Sequence, residues 1–271
     1  MRLLFTIFII FAAFTFLHAQ DKIDLTNLSS PIIFQGDFKF AYRDPAVVYA
    51  NDRFHLFFTL SENAEDGGYY NYIATSVSSD LVHWTFPKIL TPRDRTLNYS
   101  SPGNIIRYKD EWIICYQTYP TPEMQEFGTQ DSRIWMSKSA DLLNWSEPFM
   151  LRVKGPDVPR EKMGRMIDPY LLEDKNEPGK FWCFYKQNGV SMSYSYDLEN
   201  WTYAGHADAG ENVTVLLQNN EYVMFHSPRN GIGIKRSTNA GHWGDDETLL
   251  TLGQRDWPWA QGRLTAATVI D

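Results

Sequence analysis

The sequence predicts an all-β fold built from repeated multi-stranded units, on the strength of three observations. Short runs rich in β-branched and aromatic residues alternate with turn-forming residues along most of the chain. No segment after the N-terminal stretch has the 3.6-residue apolar period of an amphipathic helix. One turn motif recurs at intervals of some tens of residues, which is the signature of a repeat architecture.

The repeated motif is Ser-x-Asp-Leu-x-x-Trp. Three copies and one degenerate copy occur, at Ser78–Trp84, Ser139–Trp145, Ser195–Trp201 and Ser237–Trp243. The side-chain oxygen at the Asp position can bond the backbone just ahead of it and so start a tight turn. The Trp then anchors the following strand. We therefore expect each copy to hold the same place in one structural repeat.

A hairpin precedes each copy of the motif. The four hairpin turns are Asn51-Asp52, Lys109-Asp110, Asn176–Gly179 and Asn219-Asn220. Several strands in a repeat of this length are typical of β-propeller blades. A fifth hairpin begins at Arg263–Val269, close to the last residue, Asp271. The prediction is a five-bladed β-propeller whose fifth blade is incomplete, and hence a propeller truncated at its C-terminus.

The first residues, 1–19, have the features of a signal peptide. Arg2 precedes an apolar run from Leu3 to Leu17, and Leu17-His18-Ala19 supplies a cleavage site. The apolar run is too short to span a membrane comfortably. We expect residues 20–271 to form one propeller domain that is secreted or periplasmic and carries no membrane attachment after cleavage.

The composition restricts the class of partner. The formal net charge is −8 and aromatic residues make up 15% of the chain. Nucleic acid is excluded as a partner because phosphate binding needs clustered Lys and Arg, whereas uncharged or weakly charged substrates suit an acidic surface. Cys115 and Cys183 lie inside apolar runs and are predicted to be small buried side chains rather than a disulfide. The sequence predicts no oligomeric state.

Charged residues recur at one position of the predicted inner strands. The first strand of each blade lines the propeller axis, so equivalent positions converge at one opening. We align the five strands at Asp44-Pro45, Ser101-Pro102, Asp168-Pro169, Glu211-Asn212 and Arg263-Leu264. A single Asp-Pro pair is more often a strand-entry residue, but three acids and an arginine in one register predict a charged working site.

Three segments resemble glycoside hydrolase family 43 and its wider clan of five-bladed propeller glycosidases, which includes families 32, 62, 68, 117 and 130. They are Tyr42–Tyr49, Met166–Leu172 and Gly210–Val215, and the repeated turns belong to the same pattern. The third segment departs from the usual Glu-Gly/Ala-Pro, because Asn212 and Val213 follow the glutamate. The resemblance implies an O-glycosyl hydrolase with a propeller fold.

The resemblance also implies the role of each charged residue. Asp44 would be the general base, Glu211 the general acid, and Asp168 the carboxyl that adjusts pKa and orientation. Arg263 falls where related enzymes place a substrate-contacting arginine, although an ion pair with the acids is the alternative. Further candidate substrate contacts are Tyr42, Arg43, Ser101, Trp257 and Trp259. No cofactor is required, and a structural central ion such as calcium is compatible with the fold but not indicated.

Inverting hydrolysis fits this set, because it uses a base and an acid roughly 6.5–9.5 Å apart. The predicted substrates are plant- or algal-type oligo- or polysaccharides with arabinose, xylose or galactose linkages. Four alternatives remain open: a sialidase-like hydrolase, a retaining fructosidase-like hydrolase, a clan-related phosphorylase, and a carbohydrate-binding propeller without catalysis. A sialidase needs several arginines, and a phosphorylase needs a cationic phosphate pocket that the sequence does not reveal.

Overall fold

The computed structural model describes residues 32–229, 231–245, 247–251 and 264–270. The predicted signal peptide, residues 1–19, lies outside this part of the chain. Within it the regular structure is almost entirely β, and the helical content is a 3-10 turn at Arg160–Lys162. None of the helical structure described is long and apolar enough to cross a membrane.

The strands form four antiparallel sheets that follow one another along the chain. Blade I contains β1 (Phe40–Ala50), β2 (Arg53–Asn63), β3 (Tyr69–Ser78) and β4 (Lys88–Ile89). Blade II contains β5 (Tyr99–Ser100), β6 (Ile105–Tyr108), β7 (Glu111–Thr118), β8 (Ile134–Ser139) and β9 (Phe149–Met150). Blade III contains β10 (Ile167–Glu173), β11 (Phe181–Lys186), β12 (Val190–Ser195) and β13 (Thr202–Ala207). Blade IV contains β14 (Glu211–Gln218), β15 (Glu221–Ser227), β16 (Ile232–Ser237) and β17 (Thr248–Leu250).

The all-β propeller prediction is confirmed, but the predicted number of five blades is wrong: the described residues form four. Residues 264–270 contain no strand, and none of the described strands pairs with them, so they add no fifth sheet to the described part of the chain. They nevertheless contact blade IV. The Ala266 N–H donates to Ser227 Oγ at 2.7 Å, and Thr214 Oγ1 donates to the Ala267 carbonyl at 3.0 Å.

Apolar cores fill the spaces between neighbouring blades. Between blades II and III the core includes the thiols of Cys115 and Cys183, which are buried and free, as predicted. Burial raises the pKa of Cys115 to about 12, so the thiol is inert. The two blades approach very closely at Gly103, where a Cβ would lie 1.6 Å from the Pro169 carbonyl oxygen. Glycine at this position therefore permits the inter-blade packing.

The repeated turns have the hydrogen bonds that the motif predicts. In blade III, Ser195 Oγ accepts the Asp197 N–H at 3.2 Å, and Asp197 Oδ1 accepts the Asn200 N–H at 2.7 Å. Leu198 has a φ of 62°, and the Trp201 indole donates to its carbonyl at 3.1 Å. The bond from the Asn200 side chain is the first cause that holds the pKa of Asp197 well below its usual range. The motif thus serves the fold in each blade.

Candidate active site

Each blade has an irregularity at the axial end of its inner strand, where one residue takes a positive φ. The values are 52° at Asp44, 45° at Ser101, 52° at Asp168 and 54° at Asn212, and Ala266 beyond blade IV has 57°. Strand pairing shifts at this point in blades I, III and IV. These five residues surround a narrow axial opening. The sequence therefore repeats a backbone conformation here, and β-bulges of this kind re-aim side chains beside active sites.

The position of Glu211 differs from the predicted register by one residue. The residue before each bulge pairs with a residue of the second strand: Arg43 with Thr59, Ile167 with Lys186, and Glu211 with Ser227. Asn212, and not Glu211, is therefore the equivalent of Asp44. The prediction was wrong because it aligned acidic side chains, whereas the left-handed backbone position is what recurs.

The same correction applies to the fifth segment. Ala266 holds the bulge position there, so the alignment on Arg263 was three residues early. Arg263 itself lies outside the described residues, and so do Trp257 and Trp259. Their predicted substrate contacts stay predictions.

Side chains on the second strands link one blade to the next. Thr59 Oγ1 accepts the Ser101 N–H at 2.7 Å, Gln117 Oε1 accepts the Asp168 N–H at 2.6 Å, and Ser227 Oγ accepts the Ala266 N–H at 2.7 Å. We call these three side chains the inter-blade acceptors. The equivalent residue of blade III is Lys186, whose ammonium group has no acceptor lone pair. This link is therefore missing between blades III and IV.

Asp44 is held in one orientation by two hydroxyl groups. Its Oδ2 accepts the Thr59 hydroxyl at 2.9 Å and the Ser101 hydroxyl at 3.1 Å. One donor comes from its own blade and the other from blade II, so the position of the carboxylate depends on how the two blades pack. A carboxylate fixed in this way is oriented before any substrate arrives.

Asp168 is a buried carboxyl, with only 8% of its surface exposed. Burial first, and then the nearby charges of Asp44 and Glu211, raise the pKa of Asp168 to about 7, against the opposing effects of Ser101 and Arg165. Two processes therefore act in the same direction, because both penalise the ionised form. Near neutral pH this group is both protonated and ionised in appreciable fractions, which suits a site that moves protons.

One cleft of about 860 Å³ is lined by Asp44, Asp168 and Glu211 together, a size that is usual for ligand pockets. Arg43 and Ser101 also line it. The three carboxylates come from blades I, III and IV, so the sequence-predicted acids do converge on one site.

Tyr42 is not among the residues that line this cleft, contrary to its predicted substrate contact. Its ring packs 5.1 Å from the Phe34 ring and 5.8 Å from the Phe58 ring. Successive residues of a strand point to opposite faces. Because Arg43 faces the cleft, Tyr42 faces the opposite side of the strand and packs against blade I.

Several residues of the cleft were missed from the sequence. They include Tyr69, Gln117, Tyr119, Phe127 and Arg165. Phe127 is 67% exposed, and exposed apolar groups beside a cleft mark ligand-binding surfaces. For Gln117 a signal was present, since it is a polar residue that directly follows an apolar run, Trp112–Tyr116. Tyr69, Tyr119 and Phe127 lie on segments that reach the cleft, and no local sequence pattern predicts that these segments do so.

No metal centre is evident in the described part of the chain. It contains no group of three or more His, Cys, Asp or Glu side chains arranged to hold a metal ion. What the cleft offers chemically is two partly exposed carboxylates, one buried carboxyl with a raised pKa, and the arginines Arg43 and Arg165. Such a set can transfer protons at both sides of a polar bond.

A comparison with known protein families identifies the family to which this chain belongs. Residues 42–229, which hold all three carboxylates, match the glycosyl hydrolases family 32 N-terminal domain. The chain belongs to this family. The motif resemblance is thereby confirmed for the clan of propeller glycosidases, and the matching member is family 32 rather than family 43. No curated protein matches this family 32 domain.

Solved structures similar to this family 32 domain support the propeller fold. Zg3597, a family 117 glycoside hydrolase from the marine bacterium Zobellia galactanivorans, has 13% identity and a TM-score of 0.58 over 77% of this chain and 70% of that chain. A glycosyl hydrolase from Bacteroides ovatus has 13% identity and a TM-score of 0.58 over 75% and 69%. The exo-β-1,3-galactanase from Phanerochaete chrysosporium has 11% identity and a TM-score of 0.56 over 76% and 49%.

Proposed function

We propose that this family 32 domain is a glycoside hydrolase that cleaves oligo- or polysaccharides in the cleft between its blades. The observation that carries the proposal is the convergence of Asp44, Asp168 and Glu211 on one cleft. Carboxylates on separate blades suit glycosidic cleavage, because the reaction needs a base and an acid on opposite faces of the sugar.

In the proposed mechanism Asp44 is the general base. It removes a proton from a water molecule as the water oxygen attacks the anomeric carbon, and the hydroxyls of Thr59 and Ser101 fix the carboxylate for this step. Glu211 donates a proton to the departing glycosidic oxygen. Asp168, whose pKa is raised to about 7, interacts electrostatically with both Asp44 and Glu211. Its own protonation state therefore changes the electrostatic field at these two carboxyl groups. The product anomer is inverted.

The match to family 32 rather than family 43 favours a second candidate, the retaining fructosidase-like hydrolase. There Asp44 would attack the anomeric carbon itself and form a covalent intermediate, and Glu211 would act first as acid and then as base. The oriented Asp44 carboxylate serves either reaction. Proton NMR of the first-formed product separates them, because inversion supports the first mechanism and retention supports the second.

The substrate class is tested with aryl arabinofuranosides, xylosides, galactosides and fructosides, using the purified full chain. We expect turnover on at least one, with galactosides of interest because a similar structure is a galactanase. A protein that binds sugars in the cleft but cleaves none of them would be a carbohydrate-binding propeller instead.

The assignment of Glu211 is tested by leaving-group dependence. Glu211→Gln should lose about 10²–10⁴-fold in turnover on substrates with poor leaving groups and much less on activated aryl glycosides, whose departure needs little protonation. Glu221→Gln is the matched control, since Glu221 begins β15 and does not line the cleft. Equal losses on good and poor leaving groups would remove Glu211 from the role of acid.

Export is the remaining part of the proposal. We expect cleavage after Ala19 and accumulation outside the cytoplasm, which N-terminal sequencing of the protein from the producing cell would check. A retained N-terminus on the mature protein would contradict it.

A further inference from the structure

A second pocket opens beside the cleft. It has a volume of about 550 Å³ and is lined by four cationic residues, Lys154, Lys162, Arg165 and Lys186. None of the described residues that line it is Asp or Glu. Arg165 lines both this pocket and the cleft, so the two spaces adjoin. We call it the basic pocket.

The four cations form no ion pair with the described residues of the protein. In the described part of the chain, none of them has a carboxylate oxygen within the 4.0 Å of an ion pair. Burial alone lowers the pKa of Lys154, and its ammonium lies 3.8 Å from the Tyr203 ring centroid. The whole chain has 33 acidic and 25 basic residues, so a pocket whose charged lining residues are all cations departs from the composition and favours an anionic occupant.

One wall of the basic pocket is held rigidly. The buried Arg133 donates to the carbonyls of Gly164 at 2.9 Å and Arg160 at 2.8 Å. Gln187 Nε2 donates to the carbonyls of Met163 and Arg165, both at 3.0 Å. These bonds fix the segment that carries Lys162 and Arg165. A preformed wall reduces the entropy lost when a ligand is bound.

Lys186 occupies a position that serves the fold elsewhere. The equivalent residues of the other blades are the inter-blade acceptors, Thr59, Gln117 and Ser227. A lysine cannot accept such a bond. Blade III therefore lacks a structural contact and has a cation beside the pocket instead. A residue that gives up a contact useful to the fold is expected at a functional site, where binding is the compensating gain.

We infer that the basic pocket binds an anionic substituent, a sulfate ester or a uronate carboxylate, on a sugar adjacent to the one that is cleaved. The inference rests on the proposed function, because it supplies the class of glycan for the same cleft. Inorganic phosphate fits less well. An attacking phosphate must reach the anomeric carbon beside the carboxylates, whereas Lys154, Lys162 and Lys186 do not line the cleft.

Binding is measured by calorimetry on the full chain carrying Asp44→Asn, so that no probe is consumed. The probes are a sulfated galactan oligosaccharide and its desulfated twin, an oligogalacturonate and its carboxyl-reduced twin, and inorganic phosphate. We expect one anionic probe to bind at least about tenfold more tightly than its neutral twin, which is about 1.4 kcal/mol. The pair that shows the preference identifies sulfate or carboxylate as the recognised group.

Charge-removing variants connect this preference to the pocket. Lys162→Gln and Lys186→Gln should each reduce the preference at least about threefold, since each removes one cation near the anion. Lys109→Gln is the control, because Lys109 lies in the β6–β7 turn and lines neither space. Lys162 is exposed, so its variant tests the idea even if Lys186→Gln folds poorly.

Three results would overturn the inference: equal binding of both twins in both pairs, a preference unchanged in both pocket variants, or, in a separate assay of the wild-type chain, phosphate-dependent cleavage that yields a sugar phosphate. Failure of the proposed function looks different. If the wild-type chain hydrolyses nothing but the anionic preference persists and is lost in Lys162→Gln, the basic pocket stands and the catalytic assignment falls.

Discussion

The repeated turns and the axial bulges of the blades differ in what recurs from one blade to the next. At the Ser-x-Asp-Leu-x-x-Trp turns both the backbone and the side chains recur. The serine hydroxyl accepts the N–H of the aspartate in blades I, II and III, and the tryptophan indole of blades I and III donates to the leucine carbonyl three residues before it. At the axial bulges only the backbone recurs. The φ stays between 45° and 57° while the side chain changes from Asp to Ser, Asp, Asn and Ala.

The difference separates structural positions from functional ones without any reference to relatives. A side chain that its own turn requires is the same in each repeat, because each turn has the same backbone groups to satisfy. A side chain that projects into a shared cleft is free to differ, because one site needs several chemistries. Substitutions at bulges should therefore alter turnover, and substitutions at turns should alter stability.

The sharpest test is Asp44→Asn. We expect turnover to fall about 10³-fold or more with little change in the free energy of unfolding, because asparagine also tolerates a φ of 52°. Asp52→Asn is the matched control, with a φ of 58° at the opposite end of the same strand pair. Kinetics and urea unfolding are compared for both. Full activity in Asp44→Asn would show that the side chains at the bulges do not determine turnover.

The reverse effect is expected at a turn. Trp201 is 2% exposed and belongs to the core between blades II and III, so Trp201→Ala should lower the free energy of unfolding by about 3–5 kcal/mol. Turnover per folded molecule should be unchanged. Trp84→Ala, at the same motif position but only half-buried, should cost less. A loss of activity without a loss of stability in Trp201→Ala would contradict the comparison.

Asp168 should connect stability to pH. Its pKa is raised to about 7 in the folded chain, from about 3.9 unfolded, so the folded state holds the extra proton between these values. Stability from this group is complete below pH 4 and is lost as the pH rises to 7, by up to about 4 kcal/mol. Asp168→Asn should lack this loss. Urea unfolding of both proteins at pH 4, 5.5 and 7 measures the difference, and parallel pH curves would refute it.

The smallest effect is expected at the polar residues of a turn. Ser195→Ala removes the bond to the Asp197 N–H and should cost about 0.5–1.5 kcal/mol, with no effect on the KM of any substrate. Thermal unfolding of Ser195→Ala beside Ser139→Ala, the equivalent residue of blade II, checks it. Markedly different costs in the two blades would show that the turns are not interchangeable.

The sequence predicted what local chemistry determines. The turns were correct because Ser195 and Asp197 bond to backbone only a few residues away. Asp44 and Asp168 were placed in one register because both precede proline at the bulge. Glu211 was misplaced by one residue because a bulge shifts the pairing without a residue-type signal. The basic pocket was not predicted because its cations come from separate segments that meet only in three dimensions.

The missing acceptor at Lys186 has a local consequence for the backbone at the axial end of blade IV. The amides of Ser101, Asp168 and Ala266 each donate to a side chain of a preceding blade, whereas among the described residues the amide of Asn212 finds no equivalent acceptor, because lysine only donates. Elsewhere blades III and IV stay joined, because the Tyr170 hydroxyl donates to the Val215 carbonyl at 3.1 Å and the Tyr222 hydroxyl accepts the Lys175 N–H at 2.7 Å. Amide hydrogen exchange should therefore be fastest at Asn212 among the four bulge amides, and equal protection at Asn212 and Asp168 would show that another group replaces the acceptor.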